Sequence, residues 1–205
     1  MTTPAIRHVV FDIGHVLVHY DPHLPFRRII PDPLERQWFF ENVCTPAWNV
    51  EQDRGRRWQD AEAELITKYP EYVEQIRSFR RHWSEMVPHA HEESVAIMLS
   101  LIDAGLDVTM LTNFAADTFA EARRRFHFLN APRGVTVSGE VGLIKPDRAI
   151  YDHHAQHFSL SPANTLFIDD MPYNVAGAQG AGWHAVQFSG ADKLKTDLKK
   201  LGLSV

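Results

Sequence analysis

Short segments rich in apolar and β-branched residues, at 9–11, 108–111, 135–138, 166–168 and 185–188, punctuate this chain, the first and fourth of them wholly apolar, and helical spacing fills the stretches between the later four. A run of three or four such residues without polar alternation reads as a strand buried on both faces. Strands that alternate with helices are joined by crossovers and lie parallel, so the helices must cover both sides of the sheet. The expected fold is therefore α/β: a Rossmann-like, mostly parallel sheet with helices on both faces. A length of 205 residues suffices for one such domain carrying a smaller insertion.

The insertion is expected between the first two runs, where residues 19–90 show helical spacing broken by Pro22, Pro25, Pro31 and Pro33. Leu34 and Trp38 fall four apart, as do Phe39 and Val43, and Trp58, Ala61 and Leu65 continue the pattern. Tyr72, Ile76, Phe79 and Trp83 form one apolar stripe, with Glu74, Arg77, Arg81 and Glu85 away from it. Such spacing predicts a compact helical cap over 19–90 with an aromatic core of its own. Residues 1–18 and 91–205 would then make the core domain.

Past Pro88, Val95, Met98, Leu99 and Ile102 predict a helix ended by Gly105, and further helices are expected over 115–126, around Ile150 and Tyr151 after Pro146, and over 174–181. The polar residues that end the apolar runs carry the chemistry. Asp12 closes the first, Thr112 and Asn113 the second, and Asp169-Asp170 the fourth, while Lys145 sits in the loop before the Pro146 helix. In a parallel sheet these ends share one edge, where open α/β sheets bind ligands. Carboxylates gathered there repel one another unless a cation joins them, and hard oxygen ligands suit Mg²⁺. A lysine and a hydroxyl beside them complement the oxygens of a phosphoryl group, and a carboxylate can attack phosphorus. Gly14, just beyond Asp12, suits a sharp turn or a close approach of backbone to ligand.

The order of these motifs resembles the haloacid dehalogenase superfamily of hydrolases over nearly the whole chain. The opening Phe-Asp-Ile-Gly-His-Val-Leu from Phe11 and the later Ile-Asp-Asp-Met-Pro-Tyr-Asn from Ile168 are similar to its phosphatase-like subgroup, which carries a helical cap after the first strand. The resemblance implies that Asp12 is the nucleophile, forming an aspartyl-phosphate, and that Thr112 with the backbone of Asn113 holds the phosphoryl oxygens. It implies that Lys145 balances charge and that Asp12, the Gly14 carbonyl and Asp170 ligate Mg²⁺, with Asp169 reaching the ion directly or through water. Asn174 matches a supporting position that steadies the lysine or a metal-bound water. The implied activity is hydrolysis of a small phosphorylated metabolite such as a sugar phosphate. One departure keeps alternatives open: most phosphatases of the superfamily carry a second Asp, as acid and base, where this chain has Gly14. A metal-independent 2-haloacid dehalogenase using the same Asp, and a catalytically weak phosphate-binding or regulatory module, are those alternatives.

His15 abuts the nucleophile loop and is a further candidate for substrate contact or proton donation. From the cap, Arg54 is a candidate for binding substrate, as are Asp21, Trp48 and Asn49. The pairs His89 and His91, and His153 and His154, are expected to point apart and to be solvated, offering no ready metal site. A net charge of −5 argues against nucleic acid as partner, and no apolar run reaches the ~20 residues of a membrane span. A single cysteine, Cys44, excludes an internal disulfide and is expected to be a small buried side chain; the expected location is the cytoplasm. Nothing in the sequence specifies an oligomeric state.

Overall fold

The protein is described here by a computed structural model that covers residues 6–203; the outermost residues of the expected core domain, 1–5 and 204–205, lie outside the described residues. Five strands, β1 (His8–Phe11), β2 (Asp107–Thr112), β3 (Val135–Val137), β4 (Thr165–Asp169) and β5 (His184–Gln187), form one sheet in the order β3-β2-β1-β4-β5. Every pairing is parallel, with Val9 of β1 opposite Val108 on one side and Leu166 on the other. The chain therefore runs outward from the central β1 through β2 to β3 and crosses back to β4 and β5 on the other side, and Asp12 and Asp169 stand where the order reverses.

Within residues 19–90 the elements are helical: α1 (His23–Ile29), α2 (Pro33–Asn42), α3 (Pro46–Asp53), α4 (Trp58–Lys68), α5 (Val73–Arg81) and α6 (Trp83–Met86), with a 3₁₀ turn at Pro70–Tyr72. Local sequence sets their starts. Asp32 accepts hydrogen bonds from the Leu34 and Glu35 amides and Thr45 from that of Trp48, each just before a proline in the first helical turn. The remaining helices are α7 (Glu92–Asp103), α8 (Ala116–Arg125), α9 (Ser138–Val141), α10 (Arg148–His157), α11 (Pro172–Gly180) and α12 (Ala191–Lys200). No helix among the described residues is long and apolar enough to cross a membrane.

Alternate residues of the strands build two cores. Val10, Leu111 and Phe167 face α10 and α11, packing with Ile150, Tyr151, Ala178 and Trp183. Val9, Phe11, Val108, Met110, Leu166 and Ile168 belong to a cluster on the opposite face that includes Val95 and Met98 of α7 and Leu194 and Leu198 of α12. That cluster also takes in Phe26, Phe39, Phe79 and Trp83. The helical segment gathers the expected aromatic core, with Phe26 against Phe39, Phe40 and Phe79 and Trp48 against Trp58 and Phe79, but that core is continuous with the sheet's: Trp83 meets Phe114 edge-on, with ring centroids 5.6 Å apart.

Other details of the periodicity also give way. The stripe from Tyr72 to Trp83 is split, because helix α5 ends at Arg81 and Tyr72 lies in the preceding 3₁₀ turn. Leu34 and Trp38 are solvent-exposed, and α7 buries Val95, Ile97, Met98 and Leu101 in place of Leu99 and Ile102. Helix α12, with Leu194 and Leu198 one turn apart, is an addition to the expected alternation.

His154 is a correction with a measurable consequence. Far from being solvated, its ring is fully buried, with Nε2 against Thr109 Oγ1 at 2.9 Å and Nδ1 against Thr136 Oγ1 at 2.8 Å. Burial pushes its pKa down from 6.5 to about 3. Its folded pKa being depressed, the unfolded chain takes up a proton below pH 6.5 that the folded one refuses until about pH 3, so stability is lost as pH falls through that window. At ~1.4 kcal/mol per pH unit, the loss by pH 5 is roughly 2 kcal/mol. Urea unfolding at pH 7.5 and 5.0 is expected to show that loss in the wild type and not in His154→Gln; equal losses in both would assign it elsewhere.

Candidate active site

Asp12 after β1, Asn113 after β2 and Asp170 after β4 line one cavity together with Lys145, whereas Thr112 is not among its lining residues. Asp12 is fixed by its own amide, which donates to the Ile168 carbonyl at 2.9 Å, and by the Ile13 amide, which donates to its Oδ1 at 2.7 Å. Lys145 Nζ stands 2.9 Å from Asp12 Oδ1 and 2.6 Å from Asp169 Oδ2, with its side chain only 1% exposed. The loop bearing Lys145 is clasped to the end of β2, because the Asn113 side chain donates to the Lys145 carbonyl at 3.0 Å and accepts from its amide at 2.9 Å. From the other side α11 closes in: a Cβ on Gly177 would stand 2.8 Å from the Pro146 carbonyl oxygen, so only glycine allows this approach.

Asp169 is fully buried and saturated by protein donors. Besides Lys145 it accepts from the Met171 amide at 2.8 Å and from Asn174 Nδ2 at 3.0 and 3.1 Å. Thr112 is buried at the end of β2. Asp170 is half-buried and, with Asp12 and Asp169, offers oxygens that all lie within 4.8 Å of one another. Burial, with Asp169 adding and Lys145 opposing, pushes the Asp12 carboxyl up to about 7. Burial and Asp169 likewise raise Asp170. Burial alone would depress the Lys145 ammonium, but Asp12 and Asp169 outweigh it and hold its pKa above the ordinary value.

Three carboxyls and one ammonium leave an excess of negative charge that a cation would offset. The donors fit a hard divalent ion: they are oxygens, and the buried Asn174 Oδ1 has no partner, leaving an acceptor beside Asp169 for a metal-bound water. Asp170, with the fewest protein partners of the three, should be the direct ligand and Asp169 a group that steadies its neighbours. Asp170→Ala is accordingly expected to weaken Mg²⁺ binding ~100-fold and Asp169→Asn ~10-fold, by titration calorimetry. Equal, unchanged affinities would remove the metal from this site.

The site opens into a cavity of about 680 Å³ between the sheet edge and the helical segment. Asp12, Gly14, Asn113, Lys145 and Asp170 form its floor, and Phe40, Trp58, Phe79, Trp83 and Phe114 much of its wall. His15, in a left-handed conformation (φ 56°), and Asn49 reach the cavity too. Arg54 turns outward to Asp147 and Glu51, half-exposed, and Asp21 holds the start of α1 through the His23 amide. Trp48 is packed between Trp58 and Phe79. Cys44 is buried, as expected. His89 and His91, expected to diverge, instead gather with His19, ring centroids 5.0 to 6.0 Å apart. Asp53, the last residue of α3 and unmarked by any pattern in the sequence, lines the same cavity as Asp12.

No protein-family model matches the chain. A sesquiterpene phosphatase of Aspergillus oryzae is 31% identical over 105 residues, which are 51% of this chain and 53% of that protein. The flavin mononucleotide hydrolase of Arabidopsis thaliana is 39% identical over 64 residues, 31% of this chain and 26% of that protein. The chain thus spans about half the length, or less, of these curated relatives. Among solved structures, a predicted HAD-like family hydrolase from Porphyromonas gingivalis superposes with a TM-score of 0.73 at 22% identity, covering 96% of this chain and 98% of that one. A HAD family enzyme from Bacteroides thetaiotaomicron, solved with magnesium and inorganic phosphate, gives 0.70 at 18%, covering 90% and 94%. The L-2-haloacid dehalogenase from Xanthobacter autotrophicus gives 0.64 at 16%, covering 95% and 83%.

Proposed function

Since the chain has the haloacid dehalogenase-like fold, we propose that it is an Mg²⁺-dependent phosphomonoester hydrolase working through an aspartyl-phosphate on Asp12, with residues 19–90 as its cap. The observation that carries this reading is the buried Asp12–Lys145–Asp169 array with Asp170 beside it, facing one cavity. An array whose charge calls for a divalent cation favours phosphoryl transfer over metal-independent dehalogenation. Similarity to a sesquiterpene phosphatase and to a flavin mononucleotide hydrolase supports it.

Asp12, pressed against Lys145, attacks phosphorus as the ester P–O bond breaks; water then attacks phosphorus and returns the carboxylate with inorganic phosphate. Lys145 offsets the charge of nucleophile and phosphoryl group, and Thr112 with the Asn113 amide holds phosphoryl oxygens. A bound Mg²⁺ would supply further positive charge for those oxygens, held by Asp12, the Gly14 carbonyl and Asp170. The aromatic wall excludes water and favours a substrate whose alcohol is largely apolar over a sugar phosphate.

Phosphate release from isoprenyl, aryl and sugar phosphates, measured with Mg²⁺ and with chelator beside halide release from 2-chloropropionate, tests the reading. The expected result is metal-dependent phosphate release, fastest with apolar alcohols. Metal-independent halide release would make it a dehalogenase, and binding of phosphate without turnover a regulatory module.

A further inference from the structure

Gly14 raises a question of proton transfer. A leaving alkoxide needs a proton and the second attacking water needs a base, yet position 14 offers neither. In-line attack from Asp12 sends the leaving oxygen to the far side of phosphorus, toward the cap, so a donor must come from the cavity's upper wall. Four carboxyl residues line the cavity. Asp12 and Asp170 belong to the floor, and Glu41 is exposed at the mouth, bound to Gln37 Nε2 at 2.8 Å. Asp53 remains.

We propose that Asp53, at the end of cap helix α3, is the catalytic acid and base of this site, an assignment that rests on the phosphatase reading above. Its backbone is anchored to the core: the Asp53 carbonyl accepts from Ser138 Oγ, which itself accepts from the Phe114 amide at 2.8 Å. Two residues on, Gly55 sits so close to Gly139 that an added Cβ would stand 3.2 Å from the Gly139 carbonyl oxygen. The helix end is thereby pinned above the loop that follows β2. The groups facing the carboxyl are few: the Ala115 amide donates to it, Asn49 Nδ2 lies 3.4 Å from Oδ2, and Lys145 and the Tyr20 hydroxyl act through space. Burial pushes the carboxyl up to about 7, against the Ala115 amide and Lys145, so that both protonation states are populated near neutral pH.

In the first step the Asp53 acid gives its proton to the leaving oxygen as the ester P–O bond breaks and the Asp12–phosphorus bond forms. In the second, the Asp53 carboxylate takes a proton from water as its oxygen attacks phosphorus, and the Asp12–phosphorus bond breaks with its electron pair returning to Asp12. Atoms and charge balance to ester plus water giving alcohol plus phosphate.

The test compares an alkyl phosphate with 4-nitrophenyl phosphate, whose phenolate leaves without a proton. Asp53→Asn, which keeps an oxygen for the Ala115 amide, should lower kcat/KM for the alkyl ester ~10² to 10³-fold and leave formation of the phosphoenzyme from the aryl ester nearly unchanged. Stopped flow should then show a burst of about one nitrophenolate per enzyme before slow turnover. Gly14→Asp added to Asp53→Asn should restore alkyl ester hydrolysis, because a Cβ at Gly14 meets no heavy atom within 4 Å and the backbone there needs no glycine. If Asp53→Asn does not fold, Asp53→Ser, with a hydroxyl for the Ala115 amide, is expected to give the same burst and the same selectivity. A wild type that forms phosphoenzyme, with an Asp53 variant equal to it on both esters or slowed equally on both without burst or rescue, overturns the assignment alone and leaves Asp53 as a cap for α8. A wild type forming no phosphoenzyme overturns the phosphatase reading and the assignment with it.

Discussion

Asp12→Asn should abolish turnover, lowering kcat by ~10⁴-fold or more, while the protein stays folded. An amide cannot form the acyl phosphate, and no neighbouring group can take its place: Asp169 is enclosed by Lys145, Met171 and Asn174, and Asp170 sits aside from the Lys145 ammonium. Asparagine preserves the shape of the side chain and its acceptor for the Ile13 amide, so circular dichroism and the melting temperature should change little. Mass spectrometry after brief exposure to substrate should find phosphate on wild-type Asp12 and none on the variant. Activity within about tenfold of wild type would remove Asp12 from the reaction.

Lys145→Met should be nearly as severe, and in two respects. Catalytically, the phosphoryl group loses the buried ammonium beside Asp12, a loss of roughly 10³-fold in kcat. Structurally, two buried carboxyls are left facing each other where an ammonium stood 2.9 and 2.6 Å away. Breaking a buried pair by removing one partner costs about 3–5 kcal/mol. The carboxyls can escape that cost by taking up protons, so the deficit should be larger at pH 8 than at pH 5, and Mg²⁺ should recover part of it. Urea unfolding of wild type and variant at both pH values reads this directly; a deficit that does not grow with pH would show that the ammonium and carboxyls are not energetically linked.

The floor of the site is legible in the sequence because Asp12, Asn113 and Asp170 each follow an apolar run and Lys145 lies in the loop before the Pro146 helix. A polar residue that ends a buried strand is placed by a local pattern, and the parallel arrangement brings such ends together without further information. Asp53 is illegible for the opposite reason. It sits among Glu51, Gln52 and Arg54, where any charge reads as a solvated helix end, and only the contacts of Ser138 and Gly139, more than eighty positions on, turn it inward. The same long-range docking undoes the expectation for Arg54, whose periodicity cannot say that Asp147 would draw it outward. His154 and His153 differ likewise in face, one sealed by two threonines and the other stacked on His157 at 6.0 Å. Helix α12 was within reach, since Leu194 and Leu198 carry the spacing that marked the other helices.

The helical segment enters and leaves the sheet side by side. The His19 amide donates to the His89 carbonyl at 3.0 Å and the His91 amide to the Leu17 carbonyl at 2.8 Å, so both connections pass through one narrow stem. Arg125 of α8 braces that stem, its guanidinium donating to the Ser84, Val87 and Pro88 carbonyls at 2.6 to 2.7 Å. A single-stem insertion is a graft: exchanging everything above it alters no strand order and no residue of the floor. Selectivity and chemistry are therefore separable inheritances in such a chain, with one exception. If the acid and base ride on α3, a graft that carries a new pocket must carry its own carboxyl too, and the stem marks where recombination can trade substrates only at the risk of trading away the proton.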